Sequence, residues 1–234
     1  MKFTTPLKGS NVQGRRKRIQ ILEAAGEAFA AHGYAATSVR DIATVAGVQP
    51  SALIYHFQSK KALFQAVLNY HIIENPKFMA FFESFKNLDN ESPQSMSDAM
   101  VASVKVVMHA CHGPTGRIKN FKGLMVALVT EGGIEANKVA RERVTSAMAA
   151  AFKKFQKVNP ELANADLFWW SHLFWGLILY TIFGEVFLLA ETGSAKYTHE
   201  FIDTLAWRIA KACCVSQGLP LPTGGDLWKH SEYR

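Results

Sequence analysis

The sequence predicts an all-α protein, with an N-terminal three-helix domain built on a helix-turn-helix and a larger C-terminal helical domain. Three observations predict it. Apolar residues recur at helical spacing along most of the chain, no alternating run of convincing strand length occurs, and Gly and Pro clusters cut the pattern into helix-sized pieces. The 234 residues suffice for a sizeable core in one or two domains, and 49% hydrophobic with 19% charged residues describes a globular chain.

Residues 1–14 are polar and predict a flexible arm that runs into Arg15-Arg16-Lys17-Arg18. A first helix follows from about Arg15 to His32, with Ile19, Leu22, Ala25, Ala28 and Phe29 on one face and Gly33 as its stop. Ser38, with Asp41 three residues on, makes a capping-box pattern for a second helix whose apolar stripe is Val39, Ile42, Ala43 and Ala46. Gly47 suits the left-handed position after a helix, and Gln49-Pro50 opens a third, about Pro50–His56. Two short helices across one glycine are the geometry that offers side chains to a DNA major groove. Ser59 caps a fourth helix with Leu63, Phe64, Val67 and Leu68 inside, ended by Asn75-Pro76.

Further helices are predicted at about 77–87, 95–112, 118–130, 135–158, 166–191 and 196–216, with an irregular tail at 218–234. The domain boundaries are therefore 15–75 and 76–217. Charge is uneven between them. Residues 1–75 hold nine Lys/Arg against four Asp/Glu, an excess of five, whereas 76–234 hold seventeen against fifteen. A basic segment that coincides with a helix-turn-helix favours a polyanionic partner.

Several pieces in a fixed order carry a more specific signal: Ile21-Leu22-Glu23-Ala24-Ala25, Phe29, Gly33-Tyr34, Thr37-Ser38-Val39-Arg40-Asp41-Ile42-Ala43, Ala46-Gly47-Val48, Tyr55-His56-Phe57 and Ser59-Lys60-Lys61-Ala62-Leu63. Over about residues 16–68 the sequence resembles the TetR family of bacterial transcriptional repressors. The resemblance implies an all-helical homodimer that binds palindromic operator DNA and releases it when a small molecule enters the C-terminal domain.

The side chains expected at DNA have separate reasons. Thr37 and Ser38 sit at a helix N-terminus, where hydroxyls and free N–H groups meet phosphate. Arg40 projects from the same turn. Gln49, Ser51 and Ala52 open the third helix; Gln pairs with adenine in two places, and a methyl suits the thymine methyl. The resemblance implies phosphate contacts for Tyr55, His56 and Lys60, and Arg15 and Arg16 add charge from the arm. Two departures stand out: Ile54 where many members have Tyr or Asn, and Pro50 where a polar residue is frequent.

The C-terminal domain is expected to hold a small apolar effector. Phe78, Phe82, Met108, Phe121, Met125, Trp170, His172 and Trp175 are its candidate lining, an aromatic set suited to an apolar cavity with few polar anchors. The run Leu167–Gly176 resembles members that respond to fatty acids or acyl thioesters. The helix Asp166–Glu191 is nearly all apolar, as a helix is when one face meets its own core and another a second subunit. The stretch 167–184 also has the length of a membrane span, but Asp166, His172 and Glu185 in or beside it count against one.

Cys111, Cys213 and Cys214 are too few for a disulfide framework and predict reduced thiols in a cytoplasmic protein. His109 and His112 share a helix face that Cys111 does not, so no metal is expected. Nucleotide-binding glycine loops and catalytic constellations are not found, so no cofactor and no enzymatic activity are expected. A membrane-anchored helical protein and an enzyme with a helical cavity are the alternatives.

Overall fold

A computed structural model describes residues 12–77, 79–80, 92–113, 120–130 and 138–224. Among these the regular elements are helices. In chain order they are α1 (Val12–Ala36), α2 (Val39–Val45), α3 (Pro50–Phe57), α4 (Lys60–Leu68), a π turn (Asn69–Ile73), α5 (Pro93–His112), α6 (Phe121–Thr130), α7 (Lys138–Val158), α8 (Asn164–Phe183), α9 (Glu185–Thr192) and α10 (His199–Val215). The helix expected at 77–87 lies largely outside the described residues, as do residues 1–11 of the arm and 225–234 of the tail.

The chain divides into two compact units, Met1–Asn75 with Lys119–Lys138 and Pro76–Ile118 with Val139–Arg234. The first unit thus takes in α6, which lies beyond residue 76 in the sequence. α6 runs along α1, and the contact is close: a Cβ on Gly123 would overlap the Ala30 carbonyl. Only glycine fits that backbone-to-backbone approach.

The core of the first unit follows the predicted stripes with one correction. Ile21, Leu22, Ala25 and Phe29 of α1 are buried, but Ile19 is 40% exposed, because Ile21 takes the inward position. Phe29 meets Phe64 edge-on at 5.0 Å, and Tyr34 lies 5.0 Å from the same ring. α1 begins at Val12, so residues 12–14 are helical and not part of an arm. Gly33, at φ 79° and ψ 171°, interrupts the helix where a stop was expected. α4 ends at Leu68 and continues as the π turn, where Glu74 N–H reaches back to Asn69 O at 2.8 Å.

In the second unit α5 and α10 pack side by side through Met96, Met100, Val104 and Val107 on one and Ile202, Ala206, Ile209 and Cys213 on the other. Lys105 Nζ and His109 Nε2 donate to the two oxygens of Asp203 at 2.8 and 2.9 Å across that seam. The segment after α10 is irregular but tied down. Ser97 Oγ donates to Pro220 O at 2.7 Å, and Thr223 N–H donates to Asp98 at 2.6 Å.

The single long helix expected at 166–191 is corrected to two. α8 and α9 meet at a 69° bend at Gly184. Tyr180 explains the choice of residue there: a Cβ on Gly184 would sit 2.7 Å from its carbonyl oxygen. No single helix among the described residues is long and apolar enough to cross a membrane, although the bent pair passes by length and composition.

α8 carries two faces. Trp170, Phe174, Ile178 and Ile182 are buried, whereas Trp169 (70%), Tyr180 (54%) and Phe183 (41%) remain exposed. Among the exposed positions, Trp169, Leu173, Gly176, Tyr180 and Phe183 are spaced four, three, four and three apart. That is the spacing of a helix–helix seam.

Candidate nucleic-acid interface

The geometry of the interface begins with how α2 and α3 are fixed. Ser38 Oγ accepts from Asp41 N–H at 3.1 Å, and the Asp41 carboxylate accepts from both the Ser38 N–H and its hydroxyl. The box closes the free N-terminus of α2, a contribution of about 1 kcal/mol. At the other end Gly47, at φ 60°, lets Val48 N–H return to Ala43 O at 3.0 Å. Gln20 of α1 donates to the Ala46 carbonyl at 2.7 Å and ties the turn to the first helix.

α3 then leaves this turn with Leu53 and Phe57 buried, one helical turn apart. The rest of its surface is available. Gln49, Pro50, Ser51, Ile54 and Tyr55 are exposed, with Tyr55 at 77%, while Ala52 and His56 are half-buried. Arg15, Arg16 and Arg40 are exposed as well.

Three side chains expected at DNA have other partners in the structure. Thr37 is buried, and its hydroxyl donates to Gly33 O at 2.7 Å, so it joins helices and does not face outward. Ser38 is exposed, but its hydroxyl is committed to Asp41. Lys60 folds back: Nζ donates to Ala35 O at 3.2 Å and lies 4.5 Å over the Tyr34 ring. The sequence spacing of Lys60 is right for a surface role, but the helix N-terminus places it beside a carbonyl and an aromatic face that hold a cation.

Arg18 makes contacts with α3 that spacing alone does not single out. Its guanidinium donates to His56 O at 3.2 Å and lies 4.3 Å over the Phe57 ring, so one α1 side chain holds the C-terminal end of α3. His56 feels this neighbour. Burial holds its pKa below the ordinary imidazole value, and the positive charges of Arg18 and Lys17 push the same way.

The expected effector lining is dispersed. Phe78 and Phe82 lie outside the described residues. Phe121, buried, and Met125, half-buried, belong to the first unit. Met108 and Trp170 are buried in the second, and Trp175 is half-buried there, edge-on to Phe174 at 5.2 Å. His172 is exposed and donates from Nδ1 to Phe168 O at 2.8 Å, so it is corrected from lining to surface: it lies on the side of α8 opposite Trp170.

The second unit also holds a polar chain that no sequence spacing marks. The Thr181 hydroxyl donates to Ile178 O at 2.7 Å and so accepts from His112 Nε2 at 2.8 Å, and Tyr197 donates to the Thr181 carbonyl at 2.7 Å. These residues are far apart in sequence, and only the packing of α5, α8 and the stretch before α10 joins them. His109 and His112 turn to different partners, and among the described residues no group of three or more His, Cys, Asp or Glu is placed to hold a metal. The three thiols are free and buried, and burial pushes Cys214 up to about 11.

Comparison with known proteins meets this geometry where it is best defined. Residues 21–67 match the family model TetR_N, bacterial regulatory proteins of the tetR family. Over 57 residues the chain is 44% identical to the HTH-type transcriptional regulator TtgR of Pseudomonas putida, a match that covers 24% of this chain and 27% of that protein. The match thus spans about a quarter of the length of such curated relatives. The fold likeness runs further. NalD, the secondary repressor of the MexAB-OprM multidrug efflux pump in Pseudomonas aeruginosa, superimposes with a TM-score of 0.59 at 19% identity, over 88% of this chain and 98% of that one. A Clostridium perfringens protein described as a putative fatty acid metabolism regulator does so with a TM-score of 0.56 at 18% identity, over 82% and 96%.

Proposed function

We propose, on the premise that this chain carries the N-terminal domain of the tetR family of bacterial regulatory proteins, that it is a ligand-responsive transcriptional repressor. It binds palindromic operator DNA as a homodimer. The observation that carries the reading is α3: a short helix, fixed at one end by the α2 capping box and the Gly47 turn and at the other by Arg18, with Gln49, Ser51 and Tyr55 directed outward. Exposed Arg15, Arg16 and Arg40 supply charge for phosphate. A protein that acts on operator DNA works in the cytoplasm.

The seam of Trp169, Leu173, Gly176, Tyr180 and Phe183 supports the dimer. An apolar row this regular is stabilised by burial against a second copy, in the manner of a helical bundle. A two-fold pair sets two α3 helices one DNA turn or a multiple apart, which is why the operator is a palindrome.

The effector is a small apolar molecule, a fatty acid or acyl thioester, taken up by the second unit. The aromatic packing there and the likeness to the Clostridium perfringens protein support that class. Effector binding favours a conformer whose two α3 helices no longer match the half-site spacing, so the population leaves DNA.

Selection of duplexes from a random pool by the purified protein tests the reading. The expected result is enrichment of one palindrome, bound with a steep inverse dependence on salt and released by an acyl compound. A pool without enrichment overturns it.

A further inference from the structure

We propose that Ile54 sets part of the operator sequence by packing against the C5-methyl group of a thymine in the major groove. The inference rests on the DNA-binding reading and adds a specificity-determining residue to it.

Ile54 is 47% exposed on α3. A single exposed aliphatic side chain is ordinary, but its position is not. It lies one helical turn after Pro50 and Ser51, both exposed, and beside Tyr55. Leu53 and Phe57 take the buried side of the helix, so Ile54 is directed away from the core with the residues nearest the groove. Ala52, the other aliphatic side chain of α3 that is not fully buried, is half-buried and has one carbon to offer.

The chemistry of the groove narrows what Ile54 recognises. Guanine offers N7 and O6, adenine N7 and the N6 amino group, and cytosine its N4 amino group; thymine alone offers a methyl group. An aliphatic side chain pressed on the polar edges removes water from donors and acceptors and returns no hydrogen bond, which is unfavourable. Against the thymine methyl it buries apolar surface on both sides. The same contact selects for thymine and against cytosine. Pro50 strengthens the effect, because it has no N–H with which to make a polar contact along this edge.

Uracil in place of thymine tests the assignment, since it removes the methyl and leaves the pairing and groove acceptors unchanged. The probe is the duplex enriched from the random pool, with thymines of one half-site replaced one at a time. For the unaltered protein, uracil at one step is expected to weaken binding about three- to fivefold, as the loss of one buried methyl does. In Ile54→Ala the penalty at that step disappears, while uracil at the other steps acts as before. Because Ile54 is exposed, the variant keeps the helical circular dichroism of the parent. A parent protein indifferent to uracil at every step overturns the proposal, as does a penalty that persists unchanged in Ile54→Ala. A pool that yields no enriched duplex overturns the regulator reading and takes this proposal with it; the two failures are distinct.

Discussion

The guanidinium of Arg18 lies 4.3 Å over the ring of Phe57, so the first helix of the chain grips the last residue of the third. The same side chain donates to the neighbouring His56 carbonyl. This pair makes the orientation of α3 a property of α1. Arg18→Met retains the length of the chain and loses the charge and the hydrogen bond. It is expected to lower stability by about 1–2 kcal/mol. Urea unfolding of the isolated protein checks this, and an unchanged midpoint contradicts it.

Arg40 and Lys60 are expected to behave differently, although both carry one charge near the interface. Arg40 is exposed, so Arg40→Ala weakens DNA binding and lowers the slope of log affinity against log salt by about one, with stability unchanged. Lys60 is already bonded to Ala35 O and seated over Tyr34, so Lys60→Ala lowers stability also. Anisotropy titrations over a salt series, paired with thermal melts, separate the two. Equal melts for both variants would show that Lys60 is a plain surface charge.

His56 gives the fold a pH dependence with a definite sign. Its pKa is depressed in the folded state, by burial first and then by Arg18 and Lys17. The unfolded chain therefore takes up a proton at a higher pH than the folded one, and stability is lost as pH falls through the ordinary imidazole value of about 6.5. Above that value the imidazole is neutral in both states and contributes no slope. Comparing Tm between about pH 8 and 5 for the parent and His56→Gln isolates the effect. The parent curve should fall more steeply on the acid side; parallel curves would show that His56 is not the group.

Tyr180→Glu tests the α8 seam. Tyr180 is exposed within one chain, so the substitution leaves each subunit folded but sets two carboxylates in the interface. Sedimentation velocity should show a dimer for the parent and a larger share of monomer for the variant. A parent that sediments as a monomer removes the basis for the seam.

The first unit was largely legible because its signals are local. Ser38 with Asp41, Gly47, Gln49-Pro50 and Ser59 each act within a few residues, and all of them appear at the predicted places. What failed there was side-chain direction. Thr37 and Lys60 have the right types at the right spacing, but whether a hydroxyl or an ammonium turns in or out depends on carbonyls contributed by α1. The second unit was less legible because its polar chain joins His112, Thr181 and Tyr197 across elements distant in sequence. Apolar periodicity located α8, but not the break at Gly184, which depends on how closely Tyr180 lies against the backbone.

The π turn at Asn69–Ile73 bears on how this chain tolerates change in length. A wide turn holds one residue more than an α-helical turn needs, and its surplus is taken up locally. Deleting one residue there would let the backbone relax into an ordinary α-helical turn, while Leu63, Phe64 and Val67 upstream keep their places against Phe29 and the rest of the core. The same deletion inside α4 would rotate those three side chains out of register by about 100°. The bulge thus marks a place just after α4 where the loss of one residue is absorbed locally, with only the buried His71, Ile72 and Ile73 left to repack.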